Sequence, residues 1–290
     1  MPERLLEGKT VVVTGGSMGI GYVCAEEIVS AGGAVVICAR GERDLDSARD
    51  RLARLPGAVV HGVRADVTAQ RDLDCVLDAA VGVPGHALHG VVHCAGIYGP
   101  IGPAVAVDPE AWLEAIRVNL FGTFLVARSV CRRLIDSGVR GSLVLLSGGG
   151  AATPFPNYTA YACAKVGVVR FTETLAQETA EYGIRVNCVA PGLVATRLHD
   201  QTLAAGDARA GKSFHEKTKA ELARGGVPAS VAARAAVFLL SERAAQITGR
   251  FLAAPYDSWD AWPDHANQFA GSDLFTLRRI VPRDRGMDWQ

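Results

Sequence analysis

The 290-residue sequence predicts an α/β fold: a doubly wound parallel sheet of seven strands, forming one domain with a C-terminal extension. Three observations predict it. Short apolar runs rich in β-branched residues alternate with longer segments of helical period along most of the chain, the pattern of a parallel sheet covered on both faces. The first such run opens into a glycine-rich turn and then a helix, in the stretch KTVVVTGGSMGIGYVCAEEIVSA that ends at Ala31. Apolar residues make up 49% of the chain, enough to bury one large core, and no run of about 18 of them would argue a membrane span.

Taken in order, Val11, Val12 and Val13 form the first strand, and residues 34–39 (AVVICA) the second. Residues 40–54, rich in Arg, Asp and Glu, read as an exposed helix. Residues 58–63 are the third strand, 69–81 a helix and 88–94 the fourth strand. A long helix is expected over 109–135, a fifth strand over 142–147 and an amphipathic helix over 158–182. Strand six covers 184–190, a helix 230–240 and strand seven 247–253. Two segments stand outside the alternation. Residues 193–226 are long and mixed in charge, placed to cover a ligand beyond the carboxyl ends of the strands. Residues 257–290 carry three of the four tryptophans, Trp259, Trp262 and Trp289, which suggests docking.

Composition removes several classes of function. Lys plus Arg equals Asp plus Glu at 30 each, so no strong field draws nucleic acid or an anionic membrane. Seven cysteines, odd in number and mostly inside apolar runs, read as reduced thiols. No CxxC or HExxH supports a metal site. The opening MPERLLEGKT lacks a long apolar run, so a cytoplasmic protein is expected.

The glycine turn is a candidate phosphate site. A helix N-terminus offers unpaired N–H groups and partial positive charge, and glycines let a pyrophosphate approach. Gly15 suits the tight turn, Gly19 the close approach and Gly21 helix-on-strand packing, with Ser17, Met18 and Ile20 between them. An NAD-selective site usually ends strand two with an acid for the ribose 2′-hydroxyl. Here Ala39 and Arg40 stand there, which favours a 2′-phosphate and hence NADP(H) over NAD, although a solvated arginine is the plainer role for Arg40. Tyr161 and Lys165, at i and i+4, share one helical face, and a cation near a phenol favours its ionised form. Tyr158 is the competing tyrosine, but four residues on stands the uncharged Ala162.

TGxxxGxG, Ala95-Gly96 within HCAG, Asn119 within VNLFG, Ser147, YxxxK at 161–165 and Pro191-Gly192 together resemble the short-chain dehydrogenase/reductase family, over about residues 8–254. The resemblance implies a Rossmann-type domain over 1–256, followed by the extension 257–290. It implies a catalytic tetrad of Tyr161 as general acid/base, Lys165 lowering its pKa and holding the nicotinamide ribose, Ser147 bonding the substrate oxygen and Asn119 supporting a proton relay. It also implies adenine contacts from Asp66 and Val67, and carboxamide contacts from Pro191, Gly192 and Thr196. A helix N-cap is the structural alternative for Asp66, and strand-end or backbone roles those for Ser147 and Asn119.

Three departures stand out. His93 replaces the first asparagine of the family's usual NNAG and reads as a core residue. Ser147 lies fourteen residues before Tyr161 where the family has thirteen, the place of Gly148; a bulge in Gly148-Gly149-Gly150 would absorb the extra residue. The usual terminal Asp-Gly-Gly is missing, while relatives usually form dimers or tetramers through the helices at 109–135 and 158–182. The leading expectation is an enzyme moving hydride between NADP(H) and a small-molecule carbonyl or secondary alcohol. An epimerase or dehydratase with a tightly bound nicotinamide, and a non-catalytic nucleotide sensor, are the alternatives. In 193–226, Arg197, Arg209, Lys212, Lys217 and Lys219 alternate with Asp200, Asp207, Glu216 and Glu221, as on a solvated helix face.

Overall fold

The computed structural model describes residues 4–289. Residues 1–3 and 290, at the outer ends of the two expected units, lie outside the described residues. Seven parallel strands form one sheet in the order β3-β2-β1-β4-β5-β6-β7: β1 Lys9–Thr14, β2 Ala34–Ala39, β3 Val60–Arg64, β4 Ala87–His93, β5 Ser142–Leu146, β6 Arg185–Ala190 and β7 Phe251–Ala253. Strand order reverses between β1 and β4. That leaves a crevice at the carboxyl ends of these two strands, where a doubly wound sheet binds ligands.

Side-chain alternation divides the core in two. Val11, Val13, Val35 and Ile37 face one way, against α1 (Gly19–Ser30) and, later in the chain, α9 (Ala229–Leu240). Val12, Val36, Val91 and Leu143 face the other, against α3 (Gln70–Val81), α5 (Gly122–Ser137) and α6 (Thr159–Glu178). Register keeps like faces together, with Val12 opposite both Val36 and Val91. A central strand buried on both sides therefore reads as an unbroken valine run.

The structure changes three of the expected elements. The helix expected over 109–135 is α4 (Pro109–Ile116), a π turn at Arg117–Phe121 and then α5. Asp108 caps its start by accepting from Ala111 N at 2.8 Å. Strand five stops at Leu146, so Ser147 is already outside it. Strand seven shrinks from seven residues to three, because side chains take the backbone groups ahead of it: Asn187 Nδ2 donates to Ile247 O and its Oδ1 accepts from Arg250 N, while Thr248 Oγ1 accepts from Val186 N. Residues 193–226 fold into α7 (Arg197–Ala210), bent at Gly206, and α8 (Lys212–Ala223).

The extension docks on the β7 edge of its own chain. The Arg250 guanidinium donates to Phe269 O, Ser272 O and Leu274 O at 2.5, 3.0 and 2.7 Å. Phe251 N donates to Phe275 O at 2.8 Å, and Glu173 accepts from Leu277 N at 2.6 Å. Trp262 and Phe269 are buried there, their ring centroids 5.1 Å apart. Among the described residues no helix is long and apolar enough to cross a membrane.

Candidate active site

A cleft of about 830 Å3 opens at the carboxyl ends of β1, β2 and β4. Its floor is the glycine turn. Gly15 and Gly19 have φ of +65° and +55°, which favours glycine, and a Cβ on Gly21 would fall 2.3 Å from Gly15 O. Helix α1 starts at Gly19, so its free N–H groups face the cleft. Ser17, Met18, Ile20, Arg40, Asp66, Val67, Ala95, Gly96 and Thr196 also line it. The shape and donor set suit a dinucleotide.

Asp66 Oδ1 accepts from Thr68 N and Thr68 Oγ1 at 2.8 and 2.7 Å. Burial pushes its carboxyl up, but these two donors together with the charges of Arg40 and Arg117 outweigh it and hold it below the usual range. Its own capping role is thus an Asx turn; the N-cap of α3 is Ala69. The open side of the cleft is covered from α7 and α8 by Arg197, Asp200, Gln201 and Leu222, with Arg197 paired to Asp44 at 3.6 Å. Sequence reading passed over Asp44, Gln201 and Leu222, and treated Arg197 and Asp200 as a solvated face. Of the expected cofactor residues, Tyr161, Lys165, Pro191 and Gly192 lie outside the lining. Gly192, at φ +79°, packs against Val227 and Pro255.

Behind Gly96 stand Asn119 and Lys165. A Cβ on Gly96 would fall 2.7 Å from Asn119 Oδ1 and 3.6 Å from Lys165 Nζ. Asn119 sits in the π turn, where its Nδ2 donates to Ile97 O and Ala115 O at 2.7 and 2.9 Å and its Oδ1 accepts from Ile97 N at 3.0 Å. Lys165 is 4% exposed and donates to Leu146 O at 2.8 Å; burial pulls its pKa down to about 8. Its ammonium lies 5.5 Å from the Tyr161 ring centroid. The Tyr161 phenol is nevertheless raised, by burial, contrary to the lowering expected from a neighbouring cation. Removal of water outweighs an ammonium that is partly spent on a carbonyl.

The Ser147 hydroxyl is engaged away from the phenol. It donates to Lys165 O at 3.1 Å, whereas a Cβ on Gly148 would fall 2.4 Å from Tyr161 Oη. Successive residues leaving a strand point to opposite sides, so the glycine run absorbs nothing and Gly148 is the position that faces Tyr161. His93 is a core residue as expected: Nδ1 pairs with Thr14 Oγ1 at 2.7 Å.

Around Tyr161 the structure packs an aromatic cluster that motif reading missed. Tyr98 stands edge-on to Tyr161 and Tyr158, with centroids 4.9 and 5.1 Å apart, while Phe155 stacks on Tyr158 at 4.3 Å. Helix α7 covers the cluster: Tyr158 Oη donates to Thr202 Oγ1 at 2.9 Å, and Tyr98 Oη lies 3.2 Å from His199 Nδ1. Nothing local in the sequence links these residues. Among the described residues no group of three or more His, Cys, Asp or Glu is placed to hold a metal ion.

Residues 15–254 match the profile of a family described as enoyl-(acyl carrier protein) reductase. The chain is 35% identical to 3beta-hydroxysteroid dehydrogenase 1 of Eggerthella lenta over 249 residues, covering 85% of this chain and 92% of that one. It is 37% identical to the L-fucose dehydrogenase of Oryctolagus cuniculus over 237 residues, covering 81% and 80%. Among solved structures, a short-chain type dehydrogenase/reductase from Mycobacterium ulcerans superimposes with a TM-score of 0.76 at 30% identity, covering 86% of this chain and 88% of its own. Levodione reductase gives 0.77 at 25% identity, covering 86% and 96%. Sheet order, glycine turn and these likenesses agree: the chain belongs to the short-chain dehydrogenase/reductase family, NAD(P)-using oxidoreductases of alcohols and carbonyls.

Proposed function

We propose that the protein moves hydride between NADP(H) and a secondary alcohol or its ketone, with Tyr161 as the general acid/base. The observation that carries this is the position of Tyr161 Oη. It faces the side-chain-free Gly148 and makes no protein hydrogen bond among the described residues, four residues before a buried lysine that abuts the cleft wall at Gly96. A phenol left unpaired is free to exchange a proton with a substrate oxygen. The bound nicotinamide supplies or accepts the hydride at C4. Tyr161 gives its proton to the oxygen in reduction and takes it back in oxidation, and Lys165 favours the phenolate between the two.

Arg40, next to Ala39 where an acid would select NAD, supports NADP(H). The relatives named for a 3beta-hydroxysteroid, L-fucose and glucose share an alcohol group, so an alcohol or its carbonyl is the substrate class. Leu113, Phe121, Phe124 and Val166 are exposed along α4 to α6 and support a homodimer through that face. All seven cysteines are free, which fits a reducing cytoplasm.

The test is a screen of secondary alcohols and ketones by absorbance of the reduced cofactor. Expected results are a kcat/KM at least tenfold higher with NADPH than NADH, and a loss of about a thousandfold or more in kcat for Tyr161→Phe. Preference for NADH would overturn the cofactor assignment, and near-normal turnover by Tyr161→Phe would overturn the mechanism.

A further inference from the structure

We propose that Tyr98 gives the second hydrogen bond to the substrate oxygen, from beside Tyr161, and that His199 on the covering helix α7 aims it. This rests on the oxidoreductase reading above. A carbonyl oxygen held by Tyr161 alone could swing about that one bond, and a second donor fixes which face of the carbon meets the cofactor.

The other polar groups around Tyr161 are engaged elsewhere. Ser147 turns its hydroxyl to Lys165 O, behind the strand end. The Asn119 amide is spent on the backbone of residues 97 and 115. Tyr158 is fully buried, with its proton on Thr202 Oγ1. Tyr98 remains. It is 4% exposed, stands edge-on to the Tyr161 ring, and follows directly on the Gly96-Ile97 wall that lines the cleft.

The contact between Tyr98 Oη and His199 Nδ1, at 3.2 Å, sets the direction of the phenolic proton. Burial lowers the His199 pKa, so the imidazole is neutral near pH 7 and carries one ring proton. The proposal assigns that proton to Nδ1. His199 then donates to Tyr98 Oη, with Thr202 beside it, and the proton of Tyr98 is left to turn to a substrate oxygen held at Tyr161. Tyr98 neither gains nor loses a proton in the reaction, while Tyr161 alone exchanges one with the substrate. Because His199 lies on α7, the second bond forms only when the covering segment is packed down, which couples closure to substrate orientation.

Four variants test it: Tyr98→Phe, His199→Leu, His199→Asn and Ser147→Ala. They are assayed with NADP(H) and the best secondary alcohol from the screen, with NADPH affinity read by fluorescence and folding by circular dichroism. Tyr98→Phe is expected to lower kcat about thirtyfold or more, with NADPH affinity within threefold of the parent. His199→Leu should lower kcat about tenfold, and His199→Asn, whose amide can still donate from the Nδ1 position, should recover most of that loss. Recovery by Asn separates aiming from packing, since a merely structural role would not favour the smaller polar side chain.

A Tyr98→Phe enzyme within threefold of the parent overturns the proposal, as does a larger loss from Ser147→Ala than from Tyr98→Phe. Should Tyr98→Phe fail to fold, equal losses in the two His199 variants overturn it. A parent protein that binds no NADPH and turns over no alcohol or ketone removes the oxidoreductase reading, and this inference with it.

Discussion

Replacing His93 with asparagine should make the protein less sensitive to acid, by an amount that follows from its surroundings. His93 is 1% exposed at the end of β4; Nδ1 is paired to Thr14 Oγ1 and Nε2 has no partner among the described residues. Burial, with a smaller push from Lys165, lowers its pKa to about 3. The folded state therefore binds fewer protons than the unfolded state between about pH 3 and the ordinary histidine value near 6.5. Stability rises with pH across that window, and it is lost as pH falls from 6.5. At 1.36 kcal/mol per unit, lowering the pH from 7.5 to 4.5 costs about 2 to 3 kcal/mol through this one residue. With an m-value near 3 kcal/mol per molar urea, that is a midpoint shift of about 0.8 M.

The assay is urea unfolding of parent and His93→Asn at pH 7.5 and 4.5, followed by circular dichroism. The parent midpoint should fall further than that of the variant by roughly that amount. His89, lowered to about 4 by burial in spite of its hydrogen bond to Leu240 O at 2.7 Å, remains in both and serves as an internal reference. Equal falls in the two proteins would refute the reasoning, since they would mean the His93 imidazole takes up its proton without unfolding the site.

Further outcomes follow from other parts of the structure. Gly21→Ala sets a methyl 2.3 Å from a backbone oxygen of the glycine turn, so NADPH affinity by fluorescence titration should weaken at least about tenfold. Arg250→Met frees three carbonyls from a charged donor, at a cost of about 3 kcal/mol. Faster tryptic cleavage after Arg278 or Arg279 than in the parent would report release of the extension. Phe124→Glu puts a charge on the exposed apolar face of α5, and light scattering should show the proposed dimer replaced by monomer with the circular dichroism spectrum unchanged.

Periodic and local features were legible in the sequence. The valine run of β1, the glycine spacing of its turn and the Tyr161/Lys165 pair each depend on residues within one or two turns of chain. Strand and helix geometry alone relates their positions. Boundaries were less legible where a neighbour decides them. The π turn around Asn119 forms as that amide bonds to Ile97, and strand seven is short because Asn187 and Thr248 side chains take backbone groups ahead of it.

By itself the sequence determined the sheet, the cofactor turn and the helical face that carries the phenol and the ammonium. Only the tertiary structure decided that Ser147 turns away from that phenol while Gly148 faces it, since a side chain's direction at a strand end depends on where the strand stops. It also decided that Tyr98 meets His199 across 101 residues, and that residues 269–277 close the β7 edge. Contacts between distant segments arise from how the layers stack, and no short-range period encodes that stacking.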